Sequence, residues 1–489
     1  MGNLRPLGFV LLALSTGACA NAKVVGGGTG GTSSGGGTGA GGAGEGGLRD
    51  AGIALGFKLD VARGAGGATG DGGTTACKNL QCRQSNCPNG VHTTLTGTVY
   101  APNGKLPLYN AVVYVPNAPL PAIPPGLVCD RCGVLPPGEP LVSALTDSHG
   151  VFTLSDVPDG ANLPLVIQVG KWRRQVTVPS VAACTANQVT DPNLTRLPRN
   201  RSEGDMPRVA ITTGPCDDLV CLMPKLGIDP NEWGIAGEDK AITFYHGATY
   251  DSDGGVTLAN LFDKHLAGMT SATGLWASQT ELAKYDLLIL SCECTEVAAT
   301  SAQFQAVTQY LGKGGRMFTT DLQYIWYPHS SDPNLAASVA TVSNMNTGVS
   351  PVDLDTTFPK GKALADWMSY VNPTDAYSQV SCDQVWDNFT GVTRPAWQVW
   401  ATSASMSSGN LHPRFLSANT PVNVPLEEQC GRAVHLDAHV SAAFGGQFPQ
   451  GCGDALQSGE QALAFFLFDV AACIQDDTKP PVPPPPIIY

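Results

Sequence analysis

Apolar and polar positions change most sharply along residues 284–295, which read KYDLLILSCECT. Residues 287–291 form a continuous run of apolar or small side chains, and Cys292, Glu293 and Cys294 follow it directly. A short apolar run with such boundaries predicts a strand that is buried on both faces, as in a parallel sheet. Open α/β sheets bind ligands at the carboxyl ends of such strands. Any reactive group of this part of the chain is therefore expected near Cys292.

Strands and helices are predicted to alternate on either side of this run. Further strands are expected at residues 209–213, 241–245, 316–320 and 431–440, and helices at residues 217–226, 256–266, 301–311 and 455–473. Strands that alternate with helices build parallel sheets through right-handed crossovers. Residues 207–475 are therefore predicted to form a flavodoxin-like α/β domain. Residues 328–428 break the rhythm, and we expect this Trp-containing insertion to pack over one end of the sheet.

A different pattern precedes this domain. Short alternating segments predict strands at residues 94–100, 111–115, 151–154, 163–169 and 173–178. Strands of this length, separated by turns, are typical of an all-β sandwich. We place the sandwich at residues 77–179, a polar connector at residues 180–206, and an exposed proline-rich tail at residues 476–489.

The N-terminal residues have the composition of a targeting segment and a tether. Residues 1–18 have a short start with Arg5, an apolar run and then small residues, as in a secretory signal peptide. Cys19 follows Gly17 and Ala18, and this arrangement resembles the lipobox of bacterial lipoproteins, which implies a lipidated Cys19. Residues 19–76 are mostly Gly, Ala, Thr and Ser and are predicted to be a disordered tether.

Composition limits the location and the partners of the protein. The 489 residues include 41 acidic and 28 basic side chains, a net charge of −13, so a nucleic-acid partner is not expected. Besides Cys19, an even number of the 15 cysteines remains, which favours disulfides and an oxidising compartment. We expect an extracytoplasmic protein, anchored to the outer membrane or cell surface by its lipid. The sandwich and the α/β domain are each expected to close their own disulfides.

The predicted sandwich contains the run GTVYAPNGKLPLYNAVVYV and, further on, TDSHGVFTLSDVP. These segments resemble the carboxypeptidase regulatory-like domain, a prealbumin-type sandwich found on many secreted bacterial proteins. The resemblance implies a structural or carbohydrate-binding module and no active site. Carbohydrate or a cell-surface protein is therefore the expected partner.

The order of the predicted strands and helices around YDLLIL and GKGGRMF resembles the class I glutamine amidotransferase-like fold, and within it the ThuA-like group. That resemblance implies a nucleophile at Cys292, with His435 or His439 as its base and Asp437 as the partner acid. The glycines that flank the nucleophile in that family are missing here, since Ser291 and Glu293 stand beside Cys292. Alternation along the strand places Asp437 on the face of the two histidines and not necessarily near Cys292.

Other residues at predicted strand ends could also take part in acid–base chemistry or bind a metal. Glu293, Asp321 and His329 are such candidates, although exposed capping residues are commoner. Cys129 and Cys132 have the spacing of zinc ligands, but no second pair follows, so a disulfide is favoured. The run Asp251-Ser252-Asp253-Gly254-Gly255 lacks the later ligands of a calcium loop and is interpreted as a polar turn. No metal or cofactor is expected.

Two functions remain open from the sequence. The first is a surface lipoprotein whose α/β domain is non-catalytic and serves binding or structure, with Cys292 in a disulfide to Cys221. That pairing is expected because the helix after the first strand begins at the edge where the strand before Cys292 ends. The second is an extracytoplasmic hydrolase that acts on a sugar or an amide, with Cys292 as nucleophile. A nucleophilic cysteine must be a free thiolate, so the state of Cys292 discriminates between them.

Overall fold

The computed structural model describes residues 77–217, 219–247, 258–342, 346–439 and 446–485. The predicted signal peptide, Cys19, the tether at residues 19–76 and the turn that begins at Asp251 lie outside the described residues. Contacts divide the chain into residues 1–73 and residues 74–489, and everything described below belongs to the second unit. No helix within the described part is long and apolar enough to cross a bilayer.

Residues 94–189 form two facing sheets. The strands are β1 Thr94–Thr98, β2 Val112–Pro116, β3 Pro140–Leu145, β4 Val151–Ser155, β5 Gly160–Val169, β6 Trp172–Val181 and β7 Ala186–Val189. One sheet has the order β4-β1-β7 and the other the order β3-β2-β5-β6. Alternate residues of β4 are buried, and Phe152 and Leu154 enter one core with Val113 and Ile167 of the opposite sheet. A short helix, α1 Pro192–Thr195, follows.

The sequence did not predict β3 and β7. Strand β7 lies within the predicted connector at residues 180–206, and it pairs in parallel with β1. A disulfide between Cys87 and Cys184 fixes the same segment to the start of the sandwich. Part of the predicted connector is therefore an edge of the sandwich.

The second layer of the molecule is built on a ten-stranded sheet. Its strands and the smaller ones around it are β8 Val209–Thr213, β9 Trp233–Ile235, β10 Ile242–His246, β11 Leu287–Leu290, β12 Arg316–Thr320, β13 Val339–Thr341, β14 Val352–Leu354, β15 Gln379–Val380, β16 Gln384–Val385, β17 Phe389–Val392, β18 Gln398–Ala404, β19 Leu411–Thr420, β20 Gly431–Leu436 and β21 Ala438–His439. The helices are α2 Leu222–Lys225, α3 Leu258–Leu261, α4 Ala272–Leu275, α5 Gln279–Leu282, α6 Ser301–Gly312, α7 Pro333–Ala337, α8 Pro359–Val371 and α9 Ser458–Ala471.

The order of strands in the large sheet is β15-β14-β18-β19-β20-β12-β11-β8-β10-β9. All pairings from β20 to β9 are parallel, which confirms the predicted parallel sheet. Every residue of β11 is buried, and β11 lies between β8 and β12. After β8 the chain adds β9 and β10 on one side of this strand, and it then adds β11, β12 and β20 on the other side. The carboxyl ends of β8 and β11 therefore meet at the topological switch point, where α/β sheets form ligand crevices.

The insertion at residues 328–428 was predicted to pack over one end of the sheet, but much of it forms part of the sheet. Four of its strands, β19, β18, β14 and β15, continue the sheet beyond β20 in antiparallel order. Most residues of β18 and β19 are buried on both faces. Strands that are covered on both sides do not alternate in sequence, which is why this extension gave no period-two signal.

Helix α9 holds the sandwich against the sheet. Residues 459–470 are nearly all buried, as expected for a helix that is apolar around its whole circumference. The Phe465 ring stacks on Tyr109 at 5.5 Å between centroids, and Phe468 lies 6.2 Å from Trp172. On the opposite side Phe466 packs 5.1 Å from Trp400 of the sheet. The sandwich and the α/β layer therefore share one hydrophobic core.

The prediction that each part closes its own disulfides is wrong. Cys129 is bonded to Cys430 and Cys132 to Cys473, so two disulfides join the sandwich to the α/β layer. The long connection between β2 and β3 reaches the C-terminal segment, where Cys132 N donates to Ile474 O at 3.0 Å and Ile474 N donates to Asp130 O at 2.8 Å. This local pairing brings the cysteines together. Cys77–Cys82 and Cys87–Cys184 stay within the sandwich, as predicted.

Candidate functional site

The carboxyl edge of the parallel strands gathers several side chains that the sequence analysis singled out. Cys292 lies two residues after β11, Asp321 directly follows β12, and His439 ends β21, which follows β20. Because β11, β12 and β20 are neighbours and parallel, their carboxyl ends bring these three residues to one place. The three side chains form a cluster, which we call the edge cluster.

The Cys292 thiol is the most deeply placed member of the edge cluster. Its side chain has 0% exposure, and the S–H donates to Oδ2 of Asp321 at 2.9 Å. The backbone N–H of Cys292 donates to Oγ1 of Thr320 at 3.2 Å. Burial raises the pKa of the Cys292 thiol well above its usual value, and the charge of Asp321 raises it further. Cys292 is therefore a free but protonated thiol.

Asp321 is the centre of the edge cluster. Its Oδ2 lies 2.9 Å from Nε2 of His439, and its Oδ1 accepts a hydrogen bond from the Asn388 side-chain amide at 2.8 Å. The residue has a φ of 42°, a left-handed conformation that non-glycine residues seldom adopt. Such strain is retained where the surrounding structure fixes the residue. The hydrogen bonds from three side chains to one carboxylate provide that restraint.

His439 is held mainly by its contact with Asp321. Burial alone would lower the pKa of His439, but the hydrogen bond to Asp321 and the charges of Asp217 and Asp383 outweigh it and raise the pKa. The indole N–H of Trp386 lies 3.1 Å from the same Nε2. One nitrogen cannot accept from Trp386 and donate to Asp321 at once. The raised pKa favours the imidazolium, and hence the bond to Asp321.

Asp437, the acid implied by the family resemblance, has other partners. Its Oδ2 accepts from the backbone N–H groups of Asn388 and Phe389 at 2.9 and 3.0 Å, and its Oδ1 accepts from the Asn388 side chain at 3.0 Å. Arg414 approaches Oδ2 at 3.4 Å. The backbone carbonyl of Asp437 also accepts from the Trp386 N–H at 2.9 Å, so Asp437 anchors the inserted segment.

The remaining histidine candidates contact residues other than Cys292. His435 is buried within β20, and its Nδ1 is 2.9 Å from Oγ1 of Thr319. His329 is exposed and stacks on the ring of Phe304 at 5.2 Å between centroids. Neither residue is therefore placed to act as a base for the Cys292 thiol.

Glu293 has a contact of its own beside the edge cluster. The Gln323 side-chain amide donates to Oε1 of Glu293 at 3.1 Å and to the carbonyl of Ser291 at 3.0 Å. The Trp326 indole in turn donates to Oε1 of Gln323 at 2.8 Å. Glu293 is nearly buried, at 6% exposure, and this contact ties it to the turn after β12.

The predicted disulfide between Cys221 and Cys292 is wrong. Cys221 is bonded to Cys452, and Cys292 and Cys382 are the free cysteines of the described residues. Cys294 pairs with Cys216 instead. Cys216 lies three residues beyond β8, whereas Cys221 is further along the chain, so Cys216 is the residue opposite the end of β11. A disulfide does lie at the predicted edge of the sheet, but it joins Cys216 to Cys294 and not Cys221 to Cys292.

Cys216, Cys292 and His439 have the separation of metal ligands. Their sulfur and nitrogen atoms all lie within 4.8 Å of one another. The Cys216 sulfur, however, is already bonded to Cys294 and offers no thiolate. A zinc site needs deprotonated sulfur ligands. With this disulfide formed, the three residues do not fit a metal.

The edge cluster does not have the order of a nucleophile, a base and an acid. In such triads the imidazole contacts the nucleophile and the carboxylate contacts the other ring nitrogen. Here Cys292 and His439 both point to the same oxygen of Asp321. Asn388 and Trp386, which complete the cluster, were missed because they lie in the aperiodic insertion. Only the local run of aromatic and polar residues, QVWDNF, distinguishes that stretch.

Comparisons with known proteins give distant structural likenesses. No family model matches the chain, and no curated protein is similar to it in sequence. A ThuA-like protein from Bacteroides uniformis ATCC 8492 is 11% identical with a TM-score of 0.28, and the match covers 57% of this chain and 96% of that chain. A ThuA-like protein from Parabacteroides merdae ATCC 43184 is 10% identical with a TM-score of 0.28, covering 56% of this chain and 99% of that chain. A type II cohesin–X-dockerin complex from Acetivibrio cellulolyticus matches 26% of this chain and 78% of that chain, with 17% identity and a TM-score of 0.15.

Proposed function

We propose that this chain is an exported, disulfide-braced protein whose α/β layer serves binding or structure and does not hydrolyse substrates through Cys292. The observation that carries the proposal is the shared acceptor, since Cys292 Sγ and His439 Nε2 each lie 2.9 Å from Oδ2 of Asp321. A cysteine nucleophile requires a thiolate and a base that contacts it. A carboxylate beside a buried sulfur opposes formation of the thiolate.

Export is supported by the disulfides of the described residues, because such bonds persist in oxidising compartments. We extend the proposal to a lipid anchor at Cys19, on the strength of the apolar run before it and the Gly-rich residues 20–76 behind it. The anchor would hold the protein at the outer membrane or the cell surface. The flavodoxin-like classification is supported by the order β10-β8-β11-β12-β20 of the parallel strands.

The proposed partner is a carbohydrate or a cell-surface protein. The two-sheet layer at residues 94–189 supports this choice, because its sequence resembles a structural or carbohydrate-binding module. Its fixed attachment through α9 and two disulfides makes the sandwich and the α/β layer one body. A bound ligand would therefore be held at a constant distance from the edge of the large sheet.

A hydrolase that acts on a sugar or an amide is the alternative function. It is favoured by one observation, namely that Cys292, Asp321 and His439 do meet at the switch point. For catalysis, His439 would have to leave Asp321 and contact the sulfur, and the thiol would have to become accessible. In the structure His439 contacts Asp321, and the Cys292 thiol is buried.

The two functions differ in what the mature protein does to polysaccharides and amides. We expect no release of reducing sugar or ammonia from soluble polysaccharides, peptidoglycan glycopeptides or glutamine, either by the wild type or by Cys292→Ala. Both proteins should be retained equally on an insoluble polysaccharide to which the wild type binds. Cys382→Ala, which alters the other buried free cysteine of the described residues, is the matched control. Release that is present in the wild type and Cys382→Ala, but lost in Cys292→Ala, would establish the hydrolase.

A further inference from the structure

Three cysteine sulfurs lie together at the switch point of the sheet. Cys216 and Cys294 are bonded to each other, and the Cys292 sulfur lies within 4.8 Å of the Cys216 sulfur. We propose that Cys216, Cys292 and Cys294 form a thiol–disulfide exchange centre, in which the Cys216–Cys294 bond interconverts with a Cys216–Cys292 bond. The inference does not depend on the proposed function, since exchange within the chain requires no substrate.

The backbone brings the third sulfur within reach. Strands β8 and β11 are paired in parallel up to Thr212 and Leu290, so the segments that carry the cysteines leave the sheet side by side. Gly214 approaches the second segment so closely that an added Cβ would lie 2.0 Å from the Cys292 carbonyl oxygen. Cys294 has a φ of 58°, a left-handed conformation that its bond to Cys216 helps to hold. Release of that bond would allow the residue to relax.

The exchange balances without an external oxidant or reductant. The Cys292 thiol, which already donates to Oδ2 of Asp321, transfers its proton to that carboxylate. The resulting thiolate attacks the Cys216 sulfur, the bond between Cys216 and Cys294 breaks, and Cys294 leaves as a thiolate that takes a proton from water. Asp321 then returns its proton to solvent, where it replaces the proton that the Cys294 thiolate took from water. One disulfide is lost and one is formed.

The thiol–disulfide exchange is expected to be slow, but the buried position of Cys292 does not prevent it. Exchange depends on the fraction of attacking thiolate, and burial together with Asp321 keeps that fraction small for Cys292. Rearrangements without a catalyst take minutes to hours. An attack from within the chain does not require Cys292 to be exposed, whereas an external reagent would have to reach a fully buried sulfur.

The consequence is a new reactive group at the surface. Cys216 and Cys294 are half-buried, whereas Cys292 is buried. After exchange the free thiol is that of Cys294, so a buried thiol has been replaced by an accessible one. This thiol is a modification site for low-molecular-weight disulfides and for electrophiles that react with thiols.

The sharpest test removes the Cys294 sulfur, which is the leaving group of the exchange. In Cys294→Ser, made in an oxidising compartment, we expect a non-reducing peptide map to show a Cys216–Cys292 disulfide. The matched control is Cys452→Ser, which frees the buried Cys221 from the other disulfide of this region, and there Cys221 should remain a thiol. The proposal is overturned if Cys216 and Cys292 are both recovered as thiols from Cys294→Ser.

A second measurement follows the exchange in the wild type. Native protein is incubated with iodoacetamide, quenched with acid and mapped, and we expect labelled Cys294 to accumulate together with the Cys216–Cys292 peptide. Asp321→Asn, which removes the charge that suppresses the Cys292 thiolate, should speed this accumulation at least several-fold, whereas Glu296→Gln, a nearby carboxylate bonded to Tyr324, should not. Absence of labelled Cys294 after hours, with Cys216–Cys294 intact, would also overturn the proposal.

Discussion

Removal of both disulfides that join the sandwich to the α/β layer is expected to destabilise the protein more than the two single removals added together. Each bond, Cys129–Cys430 and Cys132–Cys473, spans more than 300 residues of sequence. Loss of a native disulfide costs about 2–5 kcal/mol, with longer loops at the upper end. Either bond alone keeps the ends of the long loop together, so loss of the second bond carries the larger entropic cost.

Denaturant unfolding of three paired variants measures this effect. Cys129→Ala with Cys430→Ala, Cys132→Ala with Cys473→Ala, and all four substitutions together leave no unpaired cysteine behind. Cys77→Ala with Cys82→Ala is the control, because that bond has a sequence separation of 5 and closes a short loop. If the fourfold variant lost no more free energy of unfolding than the control, the two layers would not depend on these bonds.

Replacement of Arg432 by Met is expected to lower the free energy of unfolding by about 3–5 kcal/mol, the usual cost of breaking a buried ion pair from one side. Arg432 has 0% exposure and contacts the carboxylates of Asp469 in α9 and Asp477 in the C-terminal segment. Lys360 of α8 contacts the same two carboxylates. Burial alone would raise the pKa of Asp477, but the charges of Arg432 and Lys360 lower it to about 2. Without Arg432, two buried carboxylates would share a single cation.

The control for this prediction is an exposed ion pair on the same helix that carries Lys360. Lys362 pairs with Asp366 at 2.6 Å and its side chain is 58% exposed. Lys362→Met should cost no more than about 0.5 kcal/mol, because solvent screens such pairs. Equal losses in the two variants, measured by thermal or denaturant unfolding, would contradict the assignment of Arg432 to the core.

The parallel part of the fold could be predicted because its strands carry a local signal. Residues 287–291 form an uninterrupted apolar run, and the structure places β11 at the centre of the sheet with every residue buried. The strands β14 and β15 have three and two residues, too few for any period to appear. β14 takes its place in the sheet by pairing with β18, and β15 takes its place by pairing with β14, so contacts between segments that are distant in sequence decide both.

The location of the candidate site could be predicted from the sequence, but its disulfide pairing and hydrogen bonds could not. Cys292 and Asp321 were named because they follow predicted strands, and parallel strands bring such residues to one edge. His439 was named as one of two histidines in the predicted strand at residues 431–440. Which cysteines pair there depends on distances of a few ångströms between loops, and sequence spacing does not determine them. The role of Asn388 was equally hidden, since it reaches Asp321 from the insertion.

Alkylation of the native protein tests the central claim most directly, namely that Cys292 is a buried, protonated thiol and not the nucleophile of a hydrolase. The protein is treated with iodoacetamide at neutral pH and mapped by mass spectrometry, beside a Met406→Cys variant whose new thiol replaces a side chain that is 69% exposed. We expect the peptide that contains Cys292 to remain unmodified at that residue while the introduced thiol of the variant reacts fully, because burial and Asp321 suppress the Cys292 thiolate. Modification of Cys292 at the rate of the exposed control would contradict the account and favour the hydrolase.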